Sequence, residues 1–154
     1  MNPKTKRWIK SSLWALLVVG LCAGLSSLFT DTGSTWYKSL IKPAFMPAPA
    51  VFGFVWAGLY LLLAGAVAVL IYQNNRPALG ATAALLVLLA LWNLTFFQLH
   101  NALGGLVLLV LSFAAALYTL NKARPSILPV VAYSLLIIWL VFATVLNYYL
   151  VMAN

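Results

Sequence analysis

Five long stretches of the chain contain no charged residue and are almost continuously apolar. They run approximately over residues 11–29, 50–72, 77–99, 102–120 and 127–152. Each is long enough to cross about 30 Å of hydrocarbon as an α-helix that rises about 1.5 Å per residue. The stretches lack the alternation of apolar and polar residues that a membrane β-strand needs. The pattern therefore predicts an all-α fold, an integral membrane bundle of five transmembrane helices that forms a single domain over residues 1–154.

Polar residues, glycine and proline separate the apolar stretches. Residues 30–34 ("TDTGS") follow the first, residues 74–77 ("NNRP") separate the second from the third, and residues 122–125 ("KARP") separate the fourth from the fifth. Such clusters are typical of helix ends and turns. The break at residues 100–101 ("HN") is weaker, so the helix boundary there could move by several residues.

The first connection, about residues 30–49, is the longest and contains "TWYKSLIKPAFMPAP". Pro43, Pro47 and Pro49 exclude a long regular helix, since proline lacks the N–H group and restricts the preceding residue. The segment is nevertheless too apolar for a loop lying in water. We expect it to pack over the helix ends as a lid, or to rest in the interface with Trp36 and Tyr37 in an aromatic belt. The two arrangements are compatible.

Composition supports a membrane environment. Hydrophobic residues make up 65% of the chain and charged residues 6%, with a mean hydropathy of +1.04, whereas soluble domains are about one quarter charged. The basic N-terminus before the first apolar stretch imitates a signal peptide, but that stretch is long and four more follow, which favours a retained helix. Cys22 is the only cysteine, so an intrachain disulfide is excluded.

The charges predict an orientation. The N-terminal tail and the second and fourth loops together carry seven Lys and Arg residues, whereas the opposite side carries Lys38 and Lys42. In a bacterial inner membrane this places the N-terminus in the cytoplasm and the C-terminus on the opposite side. The basic residues form no continuous stripe with aromatic residues, so the expected partner is the lipid bilayer and not nucleic acid.

Small residues recur at helical spacing in two of the predicted spans. Gly20 and Gly24 form a GxxxG pattern in the first, and Gly80 and Ala84 repeat the spacing in the third. Such faces allow close approach of helix backbones in lipid. We expect these faces to form helix contacts within the monomer, and contacts that join a homodimer are the alternative.

The scarcity of reactive side chains excludes several classes of protein. Asp31 is the only carboxylate, so no carboxylate pair exists for acid–base catalysis, and no metal site is expected from one His, one Cys and one acid. No predicted span carries a charge at its centre, as ion pumps usually do. We expect Asp31 to cap a turn or pair with Lys38, and His100 to be an interfacial residue at a helix end rather than a haem ligand. No cofactor is required.

Aromatic and weakly polar residues form stripes on three predicted helices. The stripes are Trp56 and Tyr60 on the second span, Trp92 and Phe96 on the third, and Trp139, Ala143 and Asn147 on the fifth. If these faces converge, they enclose an apolar, aromatic-walled pocket with an amide at one end. Such a pocket suits a planar ring system or a sterol. Ordinary helix packing is the alternative interpretation.

Three segments resemble the TspO/MBR family, which comprises tryptophan-rich sensory proteins of bacteria and the mitochondrial translocator protein (peripheral benzodiazepine receptor). "WYKSLIKPAFMPAPAVFGFVWAGLY" is similar to the family pattern W-Y-x-x-L-x-K-P-x-x-x-P-P followed by F-x-x-x-W-x-x-L-Y. Trp92, Phe96 and Phe97 match a "W…FF" pattern, and "WLVFATVLNYY" resembles the family's W-x-x-F-A-T-x-L-N. The resemblance covers about residues 30–150.

This resemblance implies a five-helix bundle, often dimeric, with a pocket beneath the first loop. Family members bind porphyrins, haem-related tetrapyrroles, cholesterol and synthetic benzodiazepine-site ligands, so the implied function is a membrane receptor, sensor or carrier of porphyrins and possibly sterol-like ligands. The residues carried over are Tyr37, Pro47, Trp56, Tyr60, Trp139, Ala143 and Asn147. Some bacterial members degrade protoporphyrin under light, which would make Trp56 and Trp139 the candidate catalytic residues. A structural or regulatory membrane protein without a ligand is the third alternative.

The chain departs from the family pattern at several positions. Ala48 replaces the second proline of the P-P pair, and Leu85, Leu89, Leu135 and Leu136 replace Gln, Asn, Pro and Tyr. No basic residue follows Tyr148 and Tyr149, as the sterol motif of animal members requires. We therefore expect the pocket to have aromatic walls but fewer polar side chains that could bind a ligand than the family pattern has.

Overall fold

The computed structural model describes residues 2–123 and 126–154, which contain helices and no strand. The helices are α1 (Pro3–Phe29), α2 (Thr35–Ser39), α3 (Pro49–Tyr72), α4 (Arg76–Asn93), α5 (Ala102–Ala123) and α6 (Ile127–Ala153), and a π-helical turn (Leu94–Gln98) extends α4. Five of them are long and apolar enough to cross a membrane, which confirms the predicted fold class. Arg124 and Pro125 of the predicted fourth loop lie outside the described residues.

The helix ends follow from local capping chemistry. The helix α1 begins at Pro3 instead of residue 11, because the side chain of Asn2 accepts the Lys4 N–H at 3.0 Å and proline fits the first helical position. Pro49 and Pro77 likewise lie in the first turns of α3 and α4. Pro49 therefore begins a helix as well as ending the lid.

The five long helices form a closed ring. The helix α1 packs against α3 and α4, α3 packs against α6, α4 packs against α5, and α5 packs against α6. The order around the ring is α1–α3–α6–α5–α4. Consequently α1, α3, α4 and α6 can face a common interior.

The outer surface of this ring is apolar on every helix. Large hydrophobic side chains stand exposed on all five, among them Trp14, Leu61, Val87, Leu103 and Ile138. A surface of this kind is stable in hydrocarbon and not in water. The chain is therefore an integral, multi-pass membrane protein.

Hydrogen bonds and ring stacking join the chain segments at one end of the bundle. At the end that holds the N-terminus, Trp8 stacks on Tyr72 at 4.4 Å between ring centroids, and Arg7 donates to the Tyr72 carbonyl. At the same end the Gln73 amide nitrogen donates to the Ser126 hydroxyl at 2.7 Å. We call this the cationic end. The opposite end carries residues 30–48 and is called the lid end.

The small-residue faces do not lie where we expected them. Gly20, Gly24, Gly80 and Ala84 are all exposed, and a Cβ atom added to any of these three glycines would meet no described atom within 4 Å. The expectation that these faces pack within the monomer is therefore wrong. The buried seam of α1 is formed instead by Ser11, Ala15, Val19, Cys22 and Ser26.

Candidate ligand-binding pocket

A cavity of about 380 Å³ lies at the lid end of the bundle, enclosed by α1, α3, α4 with its π-helical turn, α6 and the lid. Its walls are mainly apolar. The lining residues are Ala23, Ser26, Ser27, Thr30, Thr32, Tyr37, Met46, Pro49, Phe52, Gly53, Trp56, Ala57, Tyr60, Trp92, Asn93, Phe96, Phe97, Ala143, Leu146, Asn147 and Leu150. The cavity brings together seven of the nine residues that the sequence analysis nominated.

Aromatic rings form a continuous wall of this cavity. Trp56 lies 5.7 Å from Tyr60 and 6.2 Å from Trp92 between ring centroids, at interplanar angles of 31° and 32°. Trp92 in turn stacks on Phe96 at 5.9 Å and 24°. These four rings come from the predicted stripes of two helices, since residues four apart share a helix face. They present a broad apolar surface to the cavity.

Trp139 and Pro47 are the two nominated residues that do not line the cavity. Trp139 lies behind Trp56, with its ring edge-on at 6.3 Å and 88°, and it also contacts Phe52 at 5.4 Å. Its indole Nε1 is buried without a hydrogen-bond partner in the described part of the chain. Pro47 is half-buried in the lid, and its neighbour Met46 reaches the cavity wall.

Asn147 lines the cavity, but its amide already has protein partners. Its Oδ1 atom accepts a hydrogen bond from Trp92 Nε1 at 3.2 Å, and its Nδ2 atom donates to the Ala102 carbonyl at 2.7 Å. The side chain is only 2% exposed. Asn147 therefore fixes the orientation of the Trp92 ring and joins α6 to α4 and α5.

The more polar wall of the cavity is formed by residues at the end of α1 and by Asn93 of α4, none of which the sequence analysis named as site residues. The Ser26 hydroxyl lies 3.1 Å from the Tyr60 hydroxyl, and the Thr30 hydroxyl donates to Asn93 Oδ1 at 2.8 Å. The sequence did carry a signal for this wall. Cys22, Ser26 and Thr30 recur every four residues along an otherwise apolar stretch, which places them on one helix face.

The lid packs over the cavity through its aromatic residues. Tyr37 is buried against Phe97 at 5.6 Å, and burial raises the pKa of its hydroxyl above the ordinary value of 10.0. Trp36 stacks on His100 at 4.6 Å. Lys42 lies over the Tyr37 ring and donates to the backbone carbonyl of Tyr37 and, at 3.3 Å, to that of Leu40. These contacts hold the proline-rich segment in a defined shape.

The remaining polar residues nominated from the sequence have local partners. Asp31 caps a turn, because its Oδ1 atom accepts the Gly33 N–H at 2.9 Å. His100 is exposed in the break before α5 with φ = 52°, stacked on Trp36. Among the described residues, no three His, Cys, Asp or Glu side chains lie close enough to hold a metal ion.

The departures from the family pattern lie away from the cavity wall. Leu85, Leu89 and Leu136 are fully buried in the helix-packing core, and Leu135 is exposed on the outer surface. Ala48 is exposed immediately before α3. None of these five residues lines the cavity, so the loss of polar side chains that we expected does not concern the residues that line it.

Comparison with known proteins agrees with this architecture. The model of the TspO/MBR family matches residues 14–152. The chain is 32% identical to a "Tryptophan-rich protein TspO" of Archaeoglobus fulgidus, over 94% of this chain and 95% of that protein. It is 29% identical to a protein of the same name from Chlorobaculum tepidum, over 94% and 98% of the two chains. "Protein CrtK" of Rhodobacter capsulatus is 34% identical over 64% of each chain.

The family match covers α3, α4 and α5 completely, most of α1 and α6, the lid and every residue that lines the cavity. Together with the five-helix membrane fold and the cluster of tryptophans beneath the lid, it establishes that the chain belongs to the TspO/MBR family.

Proposed function

We propose that the protein binds a planar, largely apolar ring compound, a porphyrin or related tetrapyrrole, in the cavity beneath the lid and acts as a membrane carrier or sensor for it. The observation that carries this proposal is the wall formed by Trp56, Tyr60, Trp92 and Phe96. Aromatic faces in contact with a flat ring bury a large apolar area at a small cost in side-chain entropy.

The size and polarity of the cavity support a ligand of this class. Its volume of about 380 Å³ falls in the range of about 300–1,000 Å³ that small-molecule sites occupy. The hydroxyls of Ser26 and Tyr60 supply polar contacts on one side, which a polar edge of the ring requires. A sterol-like ligand would use the same combination of a large apolar surface and one hydroxyl partner.

Tryptophan fluorescence tests the proposal directly. We expect protoporphyrin to quench the emission of the purified protein saturably, and Trp56→Phe to weaken binding about five- to tenfold, which corresponds to roughly 1 kcal/mol of lost contact. Trp14→Phe is the matched control, since Trp14 is 52% exposed on the outer surface of α1. Titrations that are identical for the wild type and both variants would contradict a site at Trp56.

Light-dependent degradation of protoporphyrin is a second candidate function, favoured by the contact of three indoles. Trp56 lies 6.2 Å from Trp92 and 6.3 Å from Trp139 between ring centroids. In this proposal Trp56 donates one electron to the photoexcited ring, and Trp139 takes over the resulting hole, which delays charge recombination. Dissolved dioxygen adds to the reduced ring, and the adduct returns the electron to the oxidised indole. The net reaction adds one dioxygen to the ring, and the dioxetane formed opens to two carbonyl groups. The scheme needs no acid–base pair, which agrees with a chain that has one carboxylate.

Illumination separates this activity from simple binding. We expect the Soret band of bound protoporphyrin to disappear faster with protein than in detergent alone, and to be retained with Trp139→Phe. That substitution breaks no hydrogen bond, because Trp139 Nε1 has no partner among the described residues. Equal bleaching with and without protein would exclude the activity. A protein that binds neither tetrapyrrole nor sterol would instead support the structural or regulatory role.

A further inference from the structure

The helices α1 and α3 are in close contact at the cationic end, whereas the lid half of α3 is less buried. At the cationic end the Trp8 and Tyr72 rings stack at 4.4 Å. In the fully described helix α3, every buried residue lies between Leu59 and Leu70, and residues 49–58 include none. The half of α3 that borders the cavity is therefore loosely covered by its neighbours.

Small side chains line the cavity where α1 adjoins this half of α3. Ala23 and Ser27 on α1 and Gly53 and Ala57 on α3 all line the cavity, and we call these four residues the seam. Ser27, Gly53 and Ala57 are exposed as well. A Cβ atom added to Gly53 would meet no described atom within 4 Å. No bulky side chain of the seam closes the cavity at this position.

Helical geometry places the seam between α1 and α3. Successive residues of an α-helix are rotated by about 100°. Phe52 contacts Trp139 on α6, so the adjacent Gly53 is turned away from α6. On α1, Cys22 bonds the Leu86 carbonyl of α4, and Ala23, the next residue, is turned away from α4. Since α1 and α3 are neighbours in the ring and all four residues line the same cavity, the seam lies where the cavity meets the boundary between α1 and α3.

Hydrogen bonds hold the lid end of the bundle together. Asn154 at the end of α6 accepts the Ile41 N–H at 2.8 Å and donates back to the Ile41 carbonyl at 3.3 Å. The Gln98 amide donates to the Phe29 carbonyl at 2.9 Å and so joins the π-helical turn to the end of α1. A ligand that passed the lid would have to break such backbone bonds. Opening the seam leaves them intact, and the side-chain bonds recorded between α1 and α3 beside it are those of the Tyr60 hydroxyl to Ser26 and Cys22.

We propose that the cavity has a lateral portal at the seam, through which its ligand enters and leaves from the acyl-chain region of the bilayer. This inference rests on the proposed binding of an apolar ring compound. Such a compound is concentrated in hydrocarbon, because apolar surface is unfavourable in water. Entry between α1 and α3 keeps it in an apolar environment along the whole route.

Binding kinetics in lipid nanodiscs test the portal. With protoporphyrin IX as the probe and tryptophan quenching as the signal, we expect Gly53→Leu and Ser27→Leu to lower both the association rate and the dissociation rate about tenfold. A narrowed route slows passage in both directions, whereas a lost contact with bound ligand raises the dissociation rate alone. The two variants lie on different helices, so the test still gives a result if one of them does not fold.

Gly58→Leu is the matched control. Gly58 lies on the same helix, is exposed, has no described atom within 4 Å of an added Cβ, and does not line the cavity. We expect wild-type rates for this variant. Asn154→Ala, which removes the lid's bonds to α6, should also leave the association rate unchanged if ligand enters at the seam.

The outcomes separate the two proposals. Wild-type protein that shows no saturable quenching would overturn the proposed function and the portal with it. Saturable quenching with unchanged rates in both seam variants would overturn the portal alone. Faster association in Asn154→Ala with unchanged rates in the seam variants would assign entry to the lid.

Discussion

At the scale of single residues, the side chain of Asn147 joins three helices through two hydrogen bonds. Its partners are the indole N–H of Trp92 on α4 and the carbonyl of Ala102 on α5. In a low-dielectric interior such bonds are strong, and an unpaired donor or acceptor is costly. Asn147 therefore has two roles: it lines the cavity, and its hydrogen bond holds the Trp92 ring of the aromatic wall in place.

Replacing Asn147 tests that role. We expect Asn147→Leu to lower the free energy of unfolding by about 1–3 kcal/mol, because it leaves the buried Trp92 N–H without its acceptor and removes the bond to the Ala102 carbonyl. Thermal unfolding in detergent measures the loss. Asn121→Leu, at an exposed position near the end of α5, is the control and should unfold as the wild type does. Equal unfolding of Asn147→Leu and wild type would contradict the bracing role.

The buried hydroxyl of Tyr37 predicts a dependence of lid stability on pH. Burial raises its pKa above 10.0, so the folded lid favours the neutral phenol. The stabilisation is fully present below the unfolded pKa and is lost as the pH rises through the higher folded pKa. We expect the thermal stability of the wild type to fall more steeply than that of Tyr37→Phe between about pH 9 and pH 11.

An exposed tyrosine provides the comparison for Tyr37. Tyr148 is 55% exposed on α6, and Tyr148→Phe should keep the steep wild-type profile. If Tyr37→Phe shows the same profile as the wild type, the Tyr37 hydroxyl does not contribute to the alkaline loss of stability.

At the scale of elements, the junction of α4 and α5 determines the shape of the aromatic wall. The π-helical turn over Leu94–Gln98 widens the end of α4, and both Phe96 and Phe97 are buried there. The next helix approaches closely, since a Cβ atom on Gly105 would lie 3.0 Å from Asn147 Oδ1 and 3.4 Å from Phe96 Cβ. The absence of a side chain at Gly105 thus permits the Trp92–Asn147 hydrogen bond.

Gly105→Ala should disturb this junction. We expect it to lower the free energy of unfolding by about 1–3 kcal/mol, the usual cost of overpacking, and to weaken protoporphyrin binding by displacing Asn147. Calorimetry and fluorescence titration measure the two effects. Gly20→Ala is the control, with no described atom within 4 Å of its Cβ, and should be neutral or stabilising by up to about 1 kcal/mol. Equal effects of the two substitutions would contradict the close approach at Gly105.

At the scale of the whole molecule, the Lys and Arg residues are distributed unequally between the two ends of the bundle. In the described part of the chain, the cationic end carries Lys4, Lys6, Arg7, Lys10, Arg76 and Lys122, and the lid end carries Lys38 and Lys42. An excess of Lys and Arg in short segments marks the cytoplasmic side. This distribution favours a lid that faces away from the cytoplasm.

Reporter fusions in a bacterial inner membrane test this orientation. We expect alkaline phosphatase fused after Asn154 to be active and a green fluorescent protein at the same position to stay dark, because the predicted orientation places the C-terminus outside the cytoplasm. Fusions after Gln73, at the opposite end of the bundle, should give the reverse pattern. A fluorescent protein that is bright after Asn154 would contradict the orientation.

The five spans, the lid and most of the aromatic wall could be predicted from the sequence alone. Hydrocarbon leaves peptide groups no partners except those within a helix, so a long uncharged stretch determines its own secondary structure. The prolines of residues 43–49 limit the lid to one short helix in the same local way. Trp56 with Tyr60 and Trp92 with Phe96 share faces because of helical spacing alone.

Which helix faces meet was decided by the tertiary structure. In lipid the outward and inward faces of a helix are both apolar, so hydrophobicity does not distinguish them. For that reason the sequence predicts Gly20 and Gly24 at a helix contact within the monomer, whereas they lie on the outer surface. Trp139 likewise contacts Trp56 from behind and does not line the cavity. Only the tertiary structure shows that the hydroxyls of Ser26 and Thr30 belong to the cavity wall. Their partners Tyr60 and Asn93 are distant in the sequence and become neighbours when the helices pack into a ring.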